Sequence, residues 1–201
     1  MKNPTTAFLF DIGNVIIRFD FRLAIGRVAD RCTLAPEHIL PNLQPLTDQL
    51  EMGQLGVLEF VEAAAEVTGF SGTPEEFIAA FEDIFELNQP IADLIEKLSE
   101  AKTPLFLLSN TNAIHVPFFT KKFPVFAKFD GAIYSYESGC MKPAPKIFEI
   151  AIKKLGLEAG TTIYIDDLPA NCEAGKKAGF QTFCYDFRNH DALLAAIKSP
   201  V

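Results

Sequence analysis

The stretch that decides the fold is AFLFDIGNVII, residues 7–17, in which two apolar runs flank Asp11-Ile12-Gly13-Asn14. Short apolar runs bounded by turn residues are typical of strands that are buried on both faces. We therefore predict a buried strand that ends at Asp11 and a turn directly after it.

Beyond Pro90, segments typical of strands and helices alternate along the chain. The further strands are predicted at residues 104–109, 132–135, 161–166 and 181–185. The helices between and after them are predicted at residues 91–101, 143–155, 169–178 and 192–197. Strands that are separated by helices imply a parallel sheet with helices on both faces. The predicted fold class is therefore α/β, a Rossmann-like doubly wound parallel sheet.

The segment between the first strand and Pro90 has a different character. Residues 20–88 show the spacing of several amphipathic helices and no convincing strand. Thr73-Pro74-Glu75-Glu76 combines an N-cap, a proline in the first turn and a capping-box glutamate, and we predict a helix from there through Phe85. The predicted organisation is a discontinuous core, residues 1–17 and 89–201, with an all-helical cap, residues 18–88, inserted after the first strand.

Composition and charge limit the cellular setting and the partners. The formal net charge of −8 disfavours binding to nucleic acid, because an acidic surface repels phosphate backbones. The four cysteines form no Cys-x-x-Cys pair, which is typical of reduced thiols in a reducing compartment. Neither a signal peptide nor an apolar stretch of membrane-spanning length is evident. We expect a cytoplasmic protein with no membrane partner, either a monomer or a homodimer.

Polar side chains follow several of the predicted strands. Asp11 follows the first, Ser109 and Asn110 follow the second, and Asp166 and Asp167 follow a later one. In a doubly wound sheet, ligands collect beyond the carboxyl ends of the strands. Carboxylates that converge there repel one another and need a cation, and oxygen ligands of this type suit Mg²⁺.

A phosphoryl group also suits this edge of the sheet. The Ser109 hydroxyl and the backbone N–H groups after it can donate hydrogen bonds to phosphate oxygens, while Lys142 supplies a positive charge. Taken singly, Ser109 is equally well explained as a strand-end cap, and Lys142 as a solvated residue before a helix. Their combination with the carboxylates favours a site for a small phosphorylated metabolite.

The order of these residues resembles the haloacid dehalogenase superfamily of aspartate-nucleophile hydrolases. The four matching motifs are Asp11-x-Gly13-Asn14-Val15, Ser109-Asn110-Thr111-Asn112, Lys142-Pro143 and Asp166-Asp167. The helical insertion after the first motif is similar to a cap of that family. FDIGNVII and SNTNAIH are most similar to the subgroup that includes α-D-glucose-1-phosphate phosphatase.

The resemblance implies a two-step phosphatase reaction. Asp11 would attack phosphorus and form an aspartyl-phosphate, which water then hydrolyses. The resemblance implies Mg²⁺ ligation by Asp11, the Gly13 carbonyl and Asp167, with Asp166 behind them as a positioning group or further ligand. The groups that would clamp the phosphoryl group are Ser109, Asn110 and Lys142.

One position departs from the pattern of many phosphatases in this family. Those enzymes carry a general acid two residues after the nucleophile, where this chain has Gly13. Asp20 and His115 are candidate substitutes, although Asp20 is also explained as a helix cap and His115 as a partly exposed loop residue. Alternatively, the leaving group needs little protonation, which favours a sugar 1-phosphate. Arg18 is a candidate for substrate contact from the cap.

Two other functions compete with a phosphatase. A 2-haloacid dehalogenase also lacks the acid, but it gains nothing from the paired acids Asp166 and Asp167 beside an anionic substrate. A non-catalytic binding protein of the same fold has no need to keep Asp11, Lys142 and Asp167 together. We therefore expect a phosphatase that acts on a sugar phosphate.

Overall fold

The structure is a computed structural model that describes residues 6–198. The predicted core residues 1–5 and 199–201 lie outside the described part of the chain. The described strands, numbered in chain order, are β1 Ala7–Phe10, β2 Ile17–Phe19, β3 Phe85–Leu87, β4 Leu105–Ser109, β5 Gly131–Tyr134, β6 Thr162–Asp166 and β7 Gln181–Cys184. The described α-helices are α1 Phe21–Val28, α2 Pro36–Glu51, α3 Val57–Thr68, α4 Pro74–Glu82, α5 Gln89–Glu100, α6 His115–Lys122, α7 Ser135–Ser138, α8 Pro145–Leu155, α9 Pro169–Lys177 and α10 His190–Lys198.

Five of the strands form one parallel sheet in the order β5-β4-β1-β6-β7. Side chains alternate across β1, so that Phe8 and Phe10 pack in one apolar cluster and Leu9 packs in another. The two clusters bury both faces of the sheet, which explains why β1 is apolar at every position. The predicted α/β doubly wound fold is confirmed.

Helices α1–α4 pack around an apolar cluster of their own. Its fully buried aromatic residues include Phe60 and Phe77, and Phe77 stacks on Phe81 at a centroid distance of 4.5 Å. Ile114, from the loop after β4, is buried in the same cluster. The helical insertion therefore contacts the sheet domain through that loop. The boundaries at residues 17/18 and 88/89 stay a prediction.

The prediction that residues 20–88 contain no strand is wrong. Strand β3 pairs antiparallel with β2 and forms a two-stranded ribbon at the entrance and exit of the helical segment. Each strand has only three residues and its partner lies far away in the chain, so local periodicity gives no signal for either. The helix predicted to reach Phe85 ends at Glu82, because the chain must extend into β3.

The start of one predicted helix is also corrected. Helix α8 begins at Pro145 and not at Pro143, with Ala144 in the N-cap position. Pro145 therefore occupies the first helical position, where a proline loses no intrahelical hydrogen bond. The residues before it, including Lys142, are left in a loop at the edge of the sheet.

Candidate active site

The site lies at the carboxyl edge of the sheet, where β4, β1 and β6 are neighbours. Asp11 directly follows β1, Ser109 is the last residue of β4, and Asp166 is the last residue of β6. Because parallel strands end at the same edge, side chains that are distant in the chain meet there. The loop that holds Lys142 reaches the same place.

Lys142 is held between two buried carboxylates. Its Nζ lies 2.8 Å from Oδ1 of Asp11 and 2.7 Å from Oδ2 of Asp166. It also donates a hydrogen bond to the Leu108 carbonyl oxygen at 3.0 Å. Burial lowers the pKa of the Lys142 ammonium, but the charges of Asp11 and Asp166 outweigh burial, so the pKa is raised. Lys142 is therefore a fixed positive charge beside the Asp11 carboxylate.

Asp11 is a buried carboxyl group whose charge depends on its neighbours. Burial is the main reason why the pKa of Asp11 is raised, and the negative charges of Asp166 and Asp167 act in the same direction. Lys142 opposes them and favours the ionised form. The Asp11 Oδ1 atom also accepts a hydrogen bond from the Ile12 N–H at 2.7 Å. These contacts fix the direction in which the carboxylate faces.

Both carboxylate oxygens of Asp166 are occupied by internal donors. Oδ1 accepts hydrogen bonds from the Leu168 N–H at 2.9 Å and from the Asn171 amide at 3.0 Å. Oδ2 accepts from Lys142 and from the Tyr164 hydroxyl. Burial acts to raise the pKa of Asp166, but Lys142 and these hydrogen bonds lower it overall. Asp166 therefore serves to position Lys142, which leaves it little capacity to bind a metal.

Asp167 is the more accessible of the paired acids. One carboxylate oxygen each from Asp11, Asp166 and Asp167 lie within 4.8 Å of one another. Burial is the main cause that raises the pKa of Asp167, and a 3.1 Å hydrogen bond from the Asn14 amide opposes it. Since Asp166 is engaged, Asp11 and Asp167 are the carboxylates best placed for a cation. Their hard oxygen atoms fit Mg²⁺. The predicted ligation by the Gly13 carbonyl stays a prediction.

The Ser109-Asn110 segment lies beside Lys142 as expected. The Ser109 hydroxyl is buried at the end of β4. The Asn110 amide donates to the Lys142 carbonyl oxygen at 2.9 Å, and its Oδ1 accepts the Lys142 N–H at 2.8 Å. The Asn110 side chain therefore ties two loops together, a contact that the sequence did not predict.

The two later residues of the same motif, Thr111 and Asn112, hold the loop after β4 through hydrogen bonds that the sequence did not predict. The Thr111 N–H donates to Ser135 Oγ at 3.0 Å. Oδ1 of Asn112 accepts the N–H groups of Ile114 and His115 at 3.1 and 3.0 Å, at the start of α6. Asn112 stands three residues before α6, and its side-chain oxygen satisfies N–H groups at the start of the helix as a capping asparagine does.

A cavity of about 90 Å³ lies between this edge of the sheet and the helical segment. Its floor includes Gly13, Ser109 and Asn110, the residues expected to contact a metal or a phosphoryl group. Aromatic side chains of the ribbon and the first helix, Phe19, Phe21 and Phe85, form part of its wall. The ionisable side chains that line it are Glu51 and His115.

His115 is buried, so its interpretation as a partly exposed loop residue is wrong. Burial lowers the pKa of its imidazole to about 4. A hydrogen bond with the Phe81 backbone acts in the opposite direction but is the smaller effect. Its Nδ1 lies 3.1 Å from the Asn112 amide nitrogen. Both sides of the ring are therefore engaged, which makes His115 a poor proton donor at neutral pH.

The structure places Asp20 and Arg18 outside the cavity. Asp20 is the N-cap of α1, accepts the Arg22 N–H at 2.9 Å and pairs with the Arg22 guanidinium. Arg18 pairs with Glu86 across the ribbon at 2.8 Å. Both line a second groove, which shares Phe19 and Phe85 with the cavity. The helix-cap explanation of Asp20 is confirmed, and neither residue lines the cavity that Gly13 and Ser109 line.

Comparison with known proteins assigns the family. A family described as haloacid dehalogenase-like hydrolases matches residues 5–179. The chain is a haloacid dehalogenase-like hydrolase. The predicted superfamily and the prediction of a hydrolytic enzyme are thus confirmed. Within the part of the chain that the structure describes, none of the helices has the length and apolar character to cross a membrane.

Relatives of this hydrolase give further points of comparison. It is 30% identical to D-ribitol-5-phosphate phosphatase of Bacteroides thetaiotaomicron, over 87% of this chain and 89% of the relative. A HAD family enzyme of the same organism, solved in complex with magnesium and inorganic phosphate, superposes with a TM-score of 0.81 at 28% identity, covering 90% of this chain and 94% of the other. A predicted HAD-like family hydrolase of Porphyromonas gingivalis has a TM-score of 0.80 at 27% identity, covering 98% and 99%.

Proposed function

We propose that this hydrolase is a Mg²⁺-dependent phosphatase that cleaves the monoester of a small phosphorylated metabolite through an aspartyl-phosphate on Asp11. The observation that carries the proposal is the buried Lys142, held between Asp11 and Asp166 with Asp167 close by. This arrangement presents a carboxylate nucleophile, a fixed cation and a carboxylate pocket for a metal at one point. The magnesium and phosphate complex of the similar B. thetaiotaomicron enzyme supports it.

In the first step, Asp11 attacks phosphorus and the ester oxygen leaves in line with the attack. Lys142 offsets the repulsion between the Asp11 carboxylate and the negative phosphoryl group. Ser109 and the backbone N–H groups after β4 donate to phosphoryl oxygens, and Asp166 keeps Lys142 in place. In the second step, water attacks phosphorus and releases Asp11 and inorganic phosphate.

Asp11 and Asp167, with the Gly13 carbonyl, are the groups proposed to hold Mg²⁺. When bound, the ion neutralises charge on the phosphoryl oxygens. Asn14 keeps the Asp167 carboxylate directed toward the site through its hydrogen bond. Asn14 has a left-handed backbone with φ of 54°, which asparagine tolerates better than most residues.

The proposed substrates are phosphorylated sugars or sugar alcohols. The named activity of the relative, D-ribitol-5-phosphate phosphatase, supports this class. A sugar 1-phosphate, predicted from the Gly13 position, belongs to the same panel. Residues 18–88 are proposed to act as the cap that covers the cavity and contacts the non-reacting part of the substrate.

The experiment measures phosphate release from D-ribitol 5-phosphate, sugar 1-phosphates and 4-nitrophenyl phosphate, with Mg²⁺ and with a chelator. We expect Mg²⁺-dependent turnover by the native chain and a loss of at least about 1,000-fold in Asp11→Asn, because the nucleophile is removed. Asp20→Asn is the matched control and should stay within about twofold, since asparagine also caps helices.

The competing functions predict different results. Halide release from a 2-haloacid without Mg²⁺ would favour the dehalogenase. Absence of turnover over the whole panel, in the native chain as in Asp11→Asn, would favour a binding protein. Turnover that survives Asp11→Asn would refute the assignment of the nucleophile.

A further inference from the structure

Position 13 is a glycine, so a substrate whose leaving group needs a proton must obtain it from elsewhere in the site. The ionisable side chains that line the cavity are Glu51 and His115. The imidazole of His115 is engaged by Asn112 and by the Phe81 carbonyl, and its pKa is lowered by burial to about 4. Asp20 lines the second groove and not the cavity, and it pairs with Arg22. Glu51 is therefore the remaining proton donor on the cavity wall.

Glu51 is the last residue of α2 and is partly buried. The influences on its carboxyl group are burial and the nearby charge of Asp48, with no hydrogen bond among the described residues. Every fully enclosed side-chain nitrogen or oxygen in residues 6–197 does have a hydrogen-bond partner. The Glu51 carboxyl group is therefore not fully enclosed by protein, and Glu51 lines the cavity.

The end of α2 is held against the sheet domain by a close backbone approach. Gly53 has φ of +65°, and a Cβ atom there would lie 2.1 Å from the Tyr136 carbonyl oxygen in α7. Only a glycine permits this contact. It fixes the end of α2, and with it Glu51, above the loops that hold Gly13 and Ser109.

The charge state of Glu51 suits proton transfer near neutral pH. Burial raises the pKa of Glu51 to about 7, and the negative charge of Asp48 acts in the same direction. A general acid works best when its pKa is near the working pH. A glutamate with an ordinary pKa would be ionised at that pH and could not donate.

We propose that Glu51 is the general acid and base of this enzyme, acting from the cap in place of the missing acid at position 13. The proposal rests on the proposed phosphatase function. In the first step the Asp11–phosphorus bond forms and the bond from phosphorus to the ester oxygen breaks. The electron pair stays on that oxygen, which takes the proton from the Glu51 carboxyl group. In the second step the Glu51 carboxylate takes a proton from the attacking water, and the Asp11–phosphate bond breaks.

The test compares two phosphate monoesters whose leaving groups have no oxygen-hydrogen group besides the one formed from the ester oxygen, so the leaving group itself offers no second proton donor. 4-Nitrophenyl phosphate has a leaving group that needs little protonation, and ethyl phosphate has one that needs much. The measured quantity is kcat/KM with Mg²⁺, because it reports the steps up to transfer of the phosphoryl group to Asp11. We expect Glu51→Gln to lose about 100-fold or more on ethyl phosphate and less than about threefold on 4-nitrophenyl phosphate.

Controls separate this role from binding or folding. Glu62→Gln removes an exposed carboxylate from α3 and should match the native chain on both esters. Glu51→Asp keeps a carboxylic acid and should recover part of the activity on ethyl phosphate. Equal losses on both esters in Glu51→Gln, or no loss on either, would overturn the proposal for Glu51 alone. If the native chain cleaved neither ester nor any metabolite, both the proposed function and this role would fail.

Discussion

His115 is the buried imidazole at the junction between the helical segment and the sheet domain. Its ring lies 5.0 Å from the Phe85 ring and 6.2 Å from the Phe21 ring, measured between centroids. These apolar neighbours leave the protonated form poorly solvated, so its pKa falls from 6.5 to about 4. The folded chain thus holds the neutral ring through a pH range in which the unfolded chain binds a proton.

This difference makes a pH-dependent contribution to stability. The contribution is complete above the unfolded pKa of 6.5 and is lost as the pH falls through 6.5 toward 4. Between about pH 7.5 and about pH 5, His115 should account for roughly 2 kcal/mol of the decrease in the free energy of unfolding. Urea unfolding at both pH values measures it.

The variant pair isolates His115 from the other titrating groups. His115→Gln should show a smaller decrease with pH than the native chain, whereas His38→Gln, at an exposed position, should behave like the native chain. The same pH dependence in all three proteins would contradict the buried, neutral state of His115.

Individual site residues differed in how well the sequence could identify them. Asp11 and Asp167 could be singled out because they directly follow strands, where the topology brings them together, whereas Lys142 lies between α7 and α8 and was singled out by its charge and by the Lys142-Pro143 motif. Glu51 carries no motif, and its position depends on how α2 docks on α7. Pro41 and Pro45 further obscured it, because they suggest a break where α2 in fact continues to Glu51.

At the level of elements, the β2–β3 ribbon takes the chain into the helical segment and back. Asn88, directly after β3, anchors its exit. The Asn88 amide donates to the Val15 carbonyl oxygen at 2.7 Å and to the Tyr185 hydroxyl oxygen at 3.0 Å, and the Asn88 N–H donates to the Ile16 carbonyl oxygen at 2.9 Å. These buried contacts fix the end of β3 both to the turn after β1 and to Tyr185, the residue directly after the edge strand β7.

Asn88→Ala should lower the free energy of unfolding by about 1–3 kcal/mol, because it leaves the buried Val15 carbonyl without its amide partner. Urea unfolding measures the loss. Asn42→Ala is the matched control, since the exposed Asn42 amide bonds only its own helix at His38. A loss no larger than that of the control would show that Asn88 does not anchor the ribbon.

The elements of the sheet were predictable because a strand covered on both faces must be apolar throughout. The ribbon was not, since strands of three residues show too little alternation to be told from a loop. Its antiparallel pairing joins residues 17–19 to residues 85–87, a contact set by the tertiary fold.

Over the whole molecule, the negative net charge is concentrated in part at the active site. Three carboxylates, Asp11, Asp166 and Asp167, face one ammonium group, that of Lys142. The local charge is therefore negative, and a bound divalent cation relieves the repulsion. Because the unfolded chain lacks this arrangement, Mg²⁺ should stabilise the folded state.

At a Mg²⁺ concentration about 100 times its Kd, the expected stabilisation is about 2.7 kcal/mol, which should raise the Tm by roughly 5–10 °C. Thermal unfolding with Mg²⁺ and with a chelator measures this shift. Asp167→Asn should remove most of it, and Asp93→Asn, at an exposed position on α5, should retain it. A shift that survives in Asp167→Asn would place the cation elsewhere.

The helical segment packs around an apolar cluster of its own, apart from the two clusters that flank the sheet, and this separation has an evolutionary consequence. The clusters beneath Asp11 and Lys142 contain no residue of α1–α4, whose own cluster includes Ile114 from the loop after β4. Mutations that reshape α1–α4 therefore leave the apolar supports of Asp11 and Lys142 intact. Descendants of one ancestral gene that keep Glu51 can therefore acquire new metabolite preferences through α1–α4 while the apolar supports of Asp11 and Lys142 stay unchanged.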